Sequence, residues 1–290
     1  MDAVNPDAVN TGLQERYNRS KESKMVSMEG KIHSDLFAQD RYILGGIPIK
    51  VKLVRSSATF SLVSSSDPAA YKVVIEDCVF RVRKVNVSPT VMIGHAEALK
   101  HTTAKYPINR VECKVFSAPR GNYSGNQPNI FQGQLPDRIV IGMVDSTAFN
   151  GSFKKNPFNF KNYDITYLAL TVNGEHLPSK PLQLKFGDAQ GANYVAAFQT
   201  LYAGSNKLFL NEGNGISRDE YPKGYTLFVF DLTADLCARD HLQPIKSGNV
   251  SLEVQFGTAL ISAINIVVLG EFESLIEIDA NRNVLYDFNS

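Results

Sequence analysis

Short stretches in which apolar and polar residues alternate one by one recur through the 290-residue chain, and this period of two constrains the fold more than any other feature. Successive side chains of a strand point to opposite faces, so strict alternation fits a half-buried strand and no helix. Ile49, Val51 and Leu53 alternate with Lys50 and Lys52. Val111, Cys113 and Val115 alternate with Glu112 and Lys114, and Val250, Leu252, Val254 and Phe256 alternate with Ser251, Glu253 and Gln255. In each segment the apolar set is expected to face a core and the polar set water. Further strands are predicted over 71–87, 138–144, 165–172, 225–230, 264–272 and 275–278.

Local signals refine this pattern. Phe80 and Val82 share a face opposite Arg81 and Arg83, but Val85 and Val87 fall on the arginine side, which predicts a bulge near Arg83. The almost unbroken apolar run 264–269 predicts a strand covered on both faces, in a sheet centre or at a subunit contact. Asn173-Gly174 predicts a tight hairpin turn, because both residues tolerate positive φ. Two segments read as helices. Ser88-Pro89 can cap and start one, with Met92, His95, Ala96 and Leu99 on one stripe. Asp188 can cap the other, with Tyr194, Val195, Phe198, Leu201 and Tyr202 as its apolar face and Gly204 as its stop. Many strands, few short helices and Gly/Pro/Asn-rich loops predict an all-β chain, a β-sandwich of jelly-roll type.

Thirty basic and 29 acidic residues give a net charge of +1, so no overall field recruits nucleic acid or an anionic membrane. The odd set Cys78, Cys113 and Cys237 lacks CxxC spacing and argues against a disulfide framework or structural zinc. Residues 1–24 read as a polar arm or loop without the apolar stretch of a signal peptide, and no window approaches a membrane span. The chain is therefore expected inside the cell, not secreted.

Catalytic frames are missing. There is no HExxH, no GxSxG, and Gly213-Asn214-Gly215 lacks the residues of a phosphate loop or dinucleotide fingerprint. His33, His95, His101, His176 and His241 do not cluster in sequence. Glu271 with Glu273, and Glu277 with Asp279, each share a strand face, as a cation site or as the wet side of a strand. Arg81, Arg83 and Lys84 read as a charged patch or a solvated face, and Lys154-Lys155 between Phe153 and Phe158 as a weak single-strand-binding signal. No enzyme, cofactor or metal is expected. The residues that stand out are Asn150, Phe153, Asn156, Pro157, Phe158 and Phe160, in a stretch whose Asn, Gly and Pro content predicts irregular backbone. Its phenylalanines either close one end of their own sandwich or anchor a neighbouring subunit.

The order of several stretches resembles the major capsid proteins of Polinton (Maverick) elements and adintovirus-like viruses. They are Gly133-Gln134-Leu135-Pro136-Asp137-Arg138-Ile139-Val140-Ile141-Gly142, Phe149-Asn150-Gly151-Ser152 and Asn156-Pro157-Phe158-Asn159-Phe160, with Asp35 to Tyr42 and Lys105 to Cys113 upstream. Downstream, Ile216 to Asp219, Phe230 to Thr233 and Ile276 to Val284 continue it.

The resemblance implies a double jelly-roll capsid subunit with no catalytic residues. Three copies would form a pseudo-hexameric tile, and tiles an icosahedral shell, with a minor (penton) capsid protein as a further partner and the virion as location. It implies a carboxy-terminal part of a first jelly roll over 25–88, a linker helix over 89–104 and a complete second jelly roll over 105–290. On this reading the first sandwich lacks its opening strands and the sequence is amino-terminally truncated. The alternative is a host-retained, non-enzymatic β-sandwich that binds glycans or another protein.

Overall fold

The computed structural model describes residues 11–66, 70–187, 192–208, 210–234, 236 and 243–287. Its strands are β1 (Ala104–Ala118), β2 (Gln127–Gln134), β3 (Arg138–Asp145), β4 (Ile165–Val172), β5 (Glu175–Gln183), β6 (Leu227–Asp231), β7 (Ser247–Phe256), β8 (Ile264–Ile278) and β9 (Val284–Tyr286). The helices are α1 (Thr11–Ser20), α2 (Asp35–Ala38), α3 (Ala58–Ser61), α4 (Pro89–Ala98), α5 (Ser146–Asn150) and α6 (Val195–Gly204). The chain forms two compact units. One comprises Met1–Val26, Ser56–Lys72 and Val111–Phe272, the other Ser27–Arg55, Val73–Arg110 and Glu273–Ser290.

Two antiparallel sheets carry the fold. Strand order is β1-β8-β3-β6 in one, with β9 beside β8, and β2-β7-β4-β5 in the other. Strand 1 lies beside 8, 2 beside 7, 3 beside 6 and 4 beside 5. Such an order arises when one long hairpin is wrapped so that its successive strand pairs alternate between two sheets, which is the jelly-roll arrangement. The all-β sandwich expected from the alternation is therefore what forms.

Burial shows why the sheets pack. Val250, Leu252, Val254 and Phe256 of β7 are all buried, as the alternation predicts. They join Leu168 and Leu170 of β4 in a core with Ile139, Ile141 and Met143 of β3 and Ile264, Ile266 and Val268 of β8. Each fully buried aliphatic side chain contributes about 1.5–3 kcal/mol, so this cluster dominates stability. Ile141 pairs with Val268 on one side and Phe228 on the other. The run 264–269 is thus a central strand, although Val267 and Leu269 on its outer face are only half-buried. The predicted break before Leu275 is absent, because β8 runs on to Ile278. The Asn173-Gly174 turn forms as expected: Val172 pairs with Glu175, and Asn173 and Gly174 have φ of 52° and 89°.

Other expectations fail for identifiable reasons. Neither 49–53 nor 71–87 forms a strand, so there is no ladder for a bulge at Arg83 to interrupt. Ile49, Leu53, Val79, Phe80 and Val82 are exposed, since among the described residues no strand pairs with these segments. In β1 the predicted faces are reversed. Val111, Cys113 and Val115 point outward, whereas Lys114 turns in to donate to the Ile130 carbonyl at 2.7 Å and sits 5.0 Å from the Phe131 ring centroid. The stretch read as a polar arm contains α1. Strands β2, β5 and β9, whose alternation is weak, are not readable from the period of two.

Both expected helices form. Ser88 caps α4 by accepting from the Val91 amide, with Pro89 at the first position. Helix α6 buries Ala197, Leu201 and Gly204. Helix α6 begins at Val195 with Tyr194 in the cap position, so the cap is not the expected Asp188, which lies outside the described residues, as do Cys237 and His241. Gly204 is not in the left-handed region expected of a stop. It is small because α6 packs on β6, and a Cβ there would lie 2.3 Å from Val229 Cγ1.

Candidate functional site

The connection from β3 to β4 holds all six residues singled out in the sequence. It begins at Asp145, the last residue of β3, which caps α5: Oδ1 accepts from the amides of Thr147 and Ala148 at 2.9 and 3.3 Å. Its Oδ2 accepts from Lys155 Nζ at 2.9 Å and Ser262 Oγ at 3.1 Å, and Lys155 also donates to Thr147 Oγ1 at 2.8 Å. The carboxylate thus ties the start of α5, Lys155 in the middle of the phenylalanine stretch and the β7–β8 loop together. Burial raises its pKa, but the hydrogen bonds from Thr147, Lys155 and Ser262 outweigh burial and hold the carboxyl well below the usual carboxylate range.

Beyond Lys155 the backbone is shaped by side-chain turns, as its composition predicts. Asn156 Oδ1 accepts from the Phe158 amide at 2.9 Å, and Asn162 Oδ1 from the Asp164 amide at 2.9 Å. Pro157 and Asn159 are buried. Phe160 is built into the sandwich: its amide donates to Gly224 O at 3.0 Å, its carbonyl accepts from Thr226 at 2.9 Å, and its ring lies against Gly142 of β3. A Cβ on Gly142 would come within 2.7 Å of that ring. Beneath the loop is a cavity of about 60 Å³ lined by Asp145, Lys155, Asn159, Lys161 and Tyr163, among others.

The other two rings face a second piece of the same unit. Phe158 meets Phe60 edge to face at 5.7 Å, and Phe153 meets Tyr71 at 6.4 Å. The Ser64 amide donates to Phe153 O at 2.8 Å. Gly151, at φ 105°, lets α3 approach so closely that a Cβ would sit 2.5 Å from Thr59 Oγ1 and 3.1 Å from the Phe60 amide nitrogen. Phe158 nevertheless remains 62% exposed, and Asn150 is exposed at the end of α5. The structure therefore brings Phe153 and Phe158 together with an arm of residues 57–71 and sends Pro157 and Phe160 inward. Sequence reading missed the arm, for which there is no local signal. It also missed the cap at Asp145-Ser146-Thr147, which a capping signature could have revealed.

Elsewhere four of the polar candidates, Glu271, Glu277, Asp279 and Arg81, have structural partners. Glu271 accepts from Arg138 at 3.1 Å, Glu277 from Thr103 Oγ1, and Asp279 from the Asn283 amide and side chain, both at 2.8 Å. Arg81 pairs with Glu29 at 3.1 Å on the surface. Among the described residues, no three His, Cys, Asp or Glu side chains are placed to hold a metal ion, and no helix is long and apolar enough to cross a membrane. What the arrangement offers is apolar and aromatic contact.

No family model matches the sequence. An uncharacterized protein of Caenorhabditis elegans is 25% identical over 267 residues, a match spanning 90% of this chain and 63% of that relative. The chain therefore spans less than two thirds of the length of the curated relative it matches. Among solved structures, PBCV-1 VP54 fitted into a reconstruction of the virophage Sputnik superposes with a TM-score of 0.41 at 8% identity, over 66% of this chain and 52% of that one. The Faustovirus major capsid protein gives 0.41 at 9% identity, over 67% and 36%, and the mavirus major capsid protein 0.35 at 11%, over 64% and 41%. Superposition at this level adds nothing to what the strand order shows.

Proposed function

We propose that the chain is a structural subunit of a capsid-type shell, a non-enzymatic protein that works by binding copies of itself. The observation that carries this reading is the wrapped strand order, β1-β8-β3-β6 against β2-β7-β4-β5. It coincides with the stretches that resemble double jelly-roll capsid proteins: 133–142 leads into β3, and 156–160 forms the loop that follows α5. Exposed apolar surface supports it further. Leu53, Val79 and Ile93 are 72%, 65% and 71% exposed, apolar side chains available for burial by further strands or by another copy.

In this reading, residues 25–88 belong to a first jelly roll of the Polinton type, completed by strands outside the present sequence, and 105–290 are the second. Asn150, Phe153 and Phe158 lie at a subunit contact, three copies close into a pseudo-hexameric tile, and tiles and a penton protein form the virion shell. Cyclic closure lets each copy cover the apolar surface of the next. Light scattering on the protein expressed from its complete reading frame tests this. A trimer or larger assembly is expected, and a strict monomer at high micromolar concentration would overturn it.

A further inference from the structure

The cavity of about 60 Å³ beneath the β3–β4 loop has walls that are polar except for Ala148. We propose that it is a hydration site, holding a small cluster of ordered water molecules that joins Asn159 to Lys155 and forms part of the loop's own structure. The site lies within one chain and does not depend on self-assembly.

The need for a ligand comes from Asn159. This residue is 5% exposed, and its Oδ1 is shut off from bulk solvent and receives no hydrogen bond from the described residues. A buried amide oxygen without a donor is costly, and folded proteins supply one from the chain or from ordered water. Asn159 lines the cavity, so a molecule held there can be that donor. Lys155, in the same wall, offers the complementary group. Its ammonium carries three N–H donors, of which one goes to Asp145 Oδ2 at 2.9 Å and one to Thr147 Oγ1 at 2.8 Å. The third is available to a ligand.

Charge and size select that ligand. An anion would face the Asp145 carboxylate and could not donate to Asn159 Oδ1. A cation would stand beside Lys155 and Lys161, which both line the cavity. Asp145 could not compensate, because its oxygens already accept from Thr147, Ala148, Lys155 and Ser262. A neutral molecule that both donates and accepts suits Asn159 and Lys155 together. At roughly 15–30 Å³ each, about two to four water molecules fill a space of this size. Lys155 and Asn159 stand on either side of Asn156-Pro157-Phe158, so bridging water fixes the turn that presents the exposed Phe158 ring.

Two measurements on the full chain test the site. In a crystal structure at a resolution that shows ordered solvent, a water molecule is expected within hydrogen-bond distance of Asn159 Oδ1 and linked, directly or through a second water, to Lys155 Nζ. No solvent within that distance, or density there that refines as an ion, overturns the proposal. The second measurement uses Asn159→Leu, which replaces the amide by an apolar side chain of similar size. Where water is bonded to Oδ1, the change strands that water and lowers the urea midpoint. Where Oδ1 has no partner, the change removes an unpaired buried polar group and raises the midpoint. A fall is expected, and a rise or an unchanged midpoint overturns the proposal. Should Asn159→Leu fail to fold, the crystal structure of the unaltered chain decides alone.

Discussion

Gly204 at the end of α6 lies directly on Val229 of β6: a Cβ would meet Val229 Cγ1 at 2.3 Å, its Cβ at 2.8 Å and its carbonyl carbon at 3.1 Å. Val229 is β-branched and stiff, and a strand backbone cannot retreat, so the contact admits no side chain on the helix. Gly204→Ala is expected to lower stability by about 2–3 kcal/mol, as overpacking does, read as a fall in the urea midpoint. Val229→Ala in the same chain should recover part of the loss. That non-additivity in a double-mutant cycle separates close approach from any effect of alanine on the helix itself.

Arg138 and Glu271 face each other across β3 and β8, and both are largely buried, with side-chain exposures of 8% and 21%. On its other side Arg138 lies opposite Asp231 of β6, whose Oδ1 accepts from the Thr233 amide and hydroxyl. Removing one partner of a buried pair leaves an uncompensated charge. Arg138→Met is therefore expected to cost about 3–5 kcal/mol, measured by chemical denaturation. Arg138→Met with Glu271→Leu should be closer to the parent than the single variant, because no carboxylate is then stranded at Glu271.

Asp145 makes stability depend on pH in a defined direction. Its carboxyl is held below the ordinary value of 3.8, so its contribution is complete above that value and is withdrawn as pH falls through and beneath it. Asp145→Ala removes the cap of α5 along with the tie to Lys155 and Ser262, and should cost about 1–2 kcal/mol at neutral pH. The difference in melting stability between parent and variant should shrink steadily from pH 5 to pH 2. A difference that stays constant over that range would show that the carboxylate's charge plays no part.

What could be read from the sequence follows the range of the forces involved. Strand β7 and the Asn173-Gly174 hairpin were legible because their signals are local: alternate burial in one, tolerance of positive φ in the other. Strand β1 was legible as a strand but not in orientation. Its apolar set looked inward, yet Lys114 is drawn under by the Ile130 carbonyl and the Phe131 ring. Segments 49–53 and 71–87 carry strand-like alternation, but a strand needs a neighbour to complete its backbone hydrogen bonds, and no residue in the segment encodes whether that neighbour exists. The phenylalanine loop stood out through composition alone. Which rings turn inward depends on Gly142 and Gly151, one on β3 and one beside α3, and only the assembled fold brings them to bear.

The same contrast between paired and unpaired segments predicts where the chain opens first. Local opening is easiest where backbone hydrogen bonds are exposed and apolar contacts few, which describes the stretches around Lys50, Lys52, Lys72, Arg81, Arg83 and Lys84. The sheets over Val111–Phe272 instead bury Ile139, Ile141, Leu252, Val254 and Ile266 almost completely. Brief trypsin treatment in native buffer is expected to cut first at those basic residues and to leave a resistant fragment beginning near Lys105. Self-assembly should slow these early cuts while leaving the resistant fragment unchanged, because the apolar side chains beside them are what neighbouring copies would cover. Mass spectrometry of the digest at low and high protein concentration reads both effects. Early cleavage inside β3, β7 or β8 would show that the sandwich is not the stable part of the chain, and the jelly-roll fold described here would have to be abandoned.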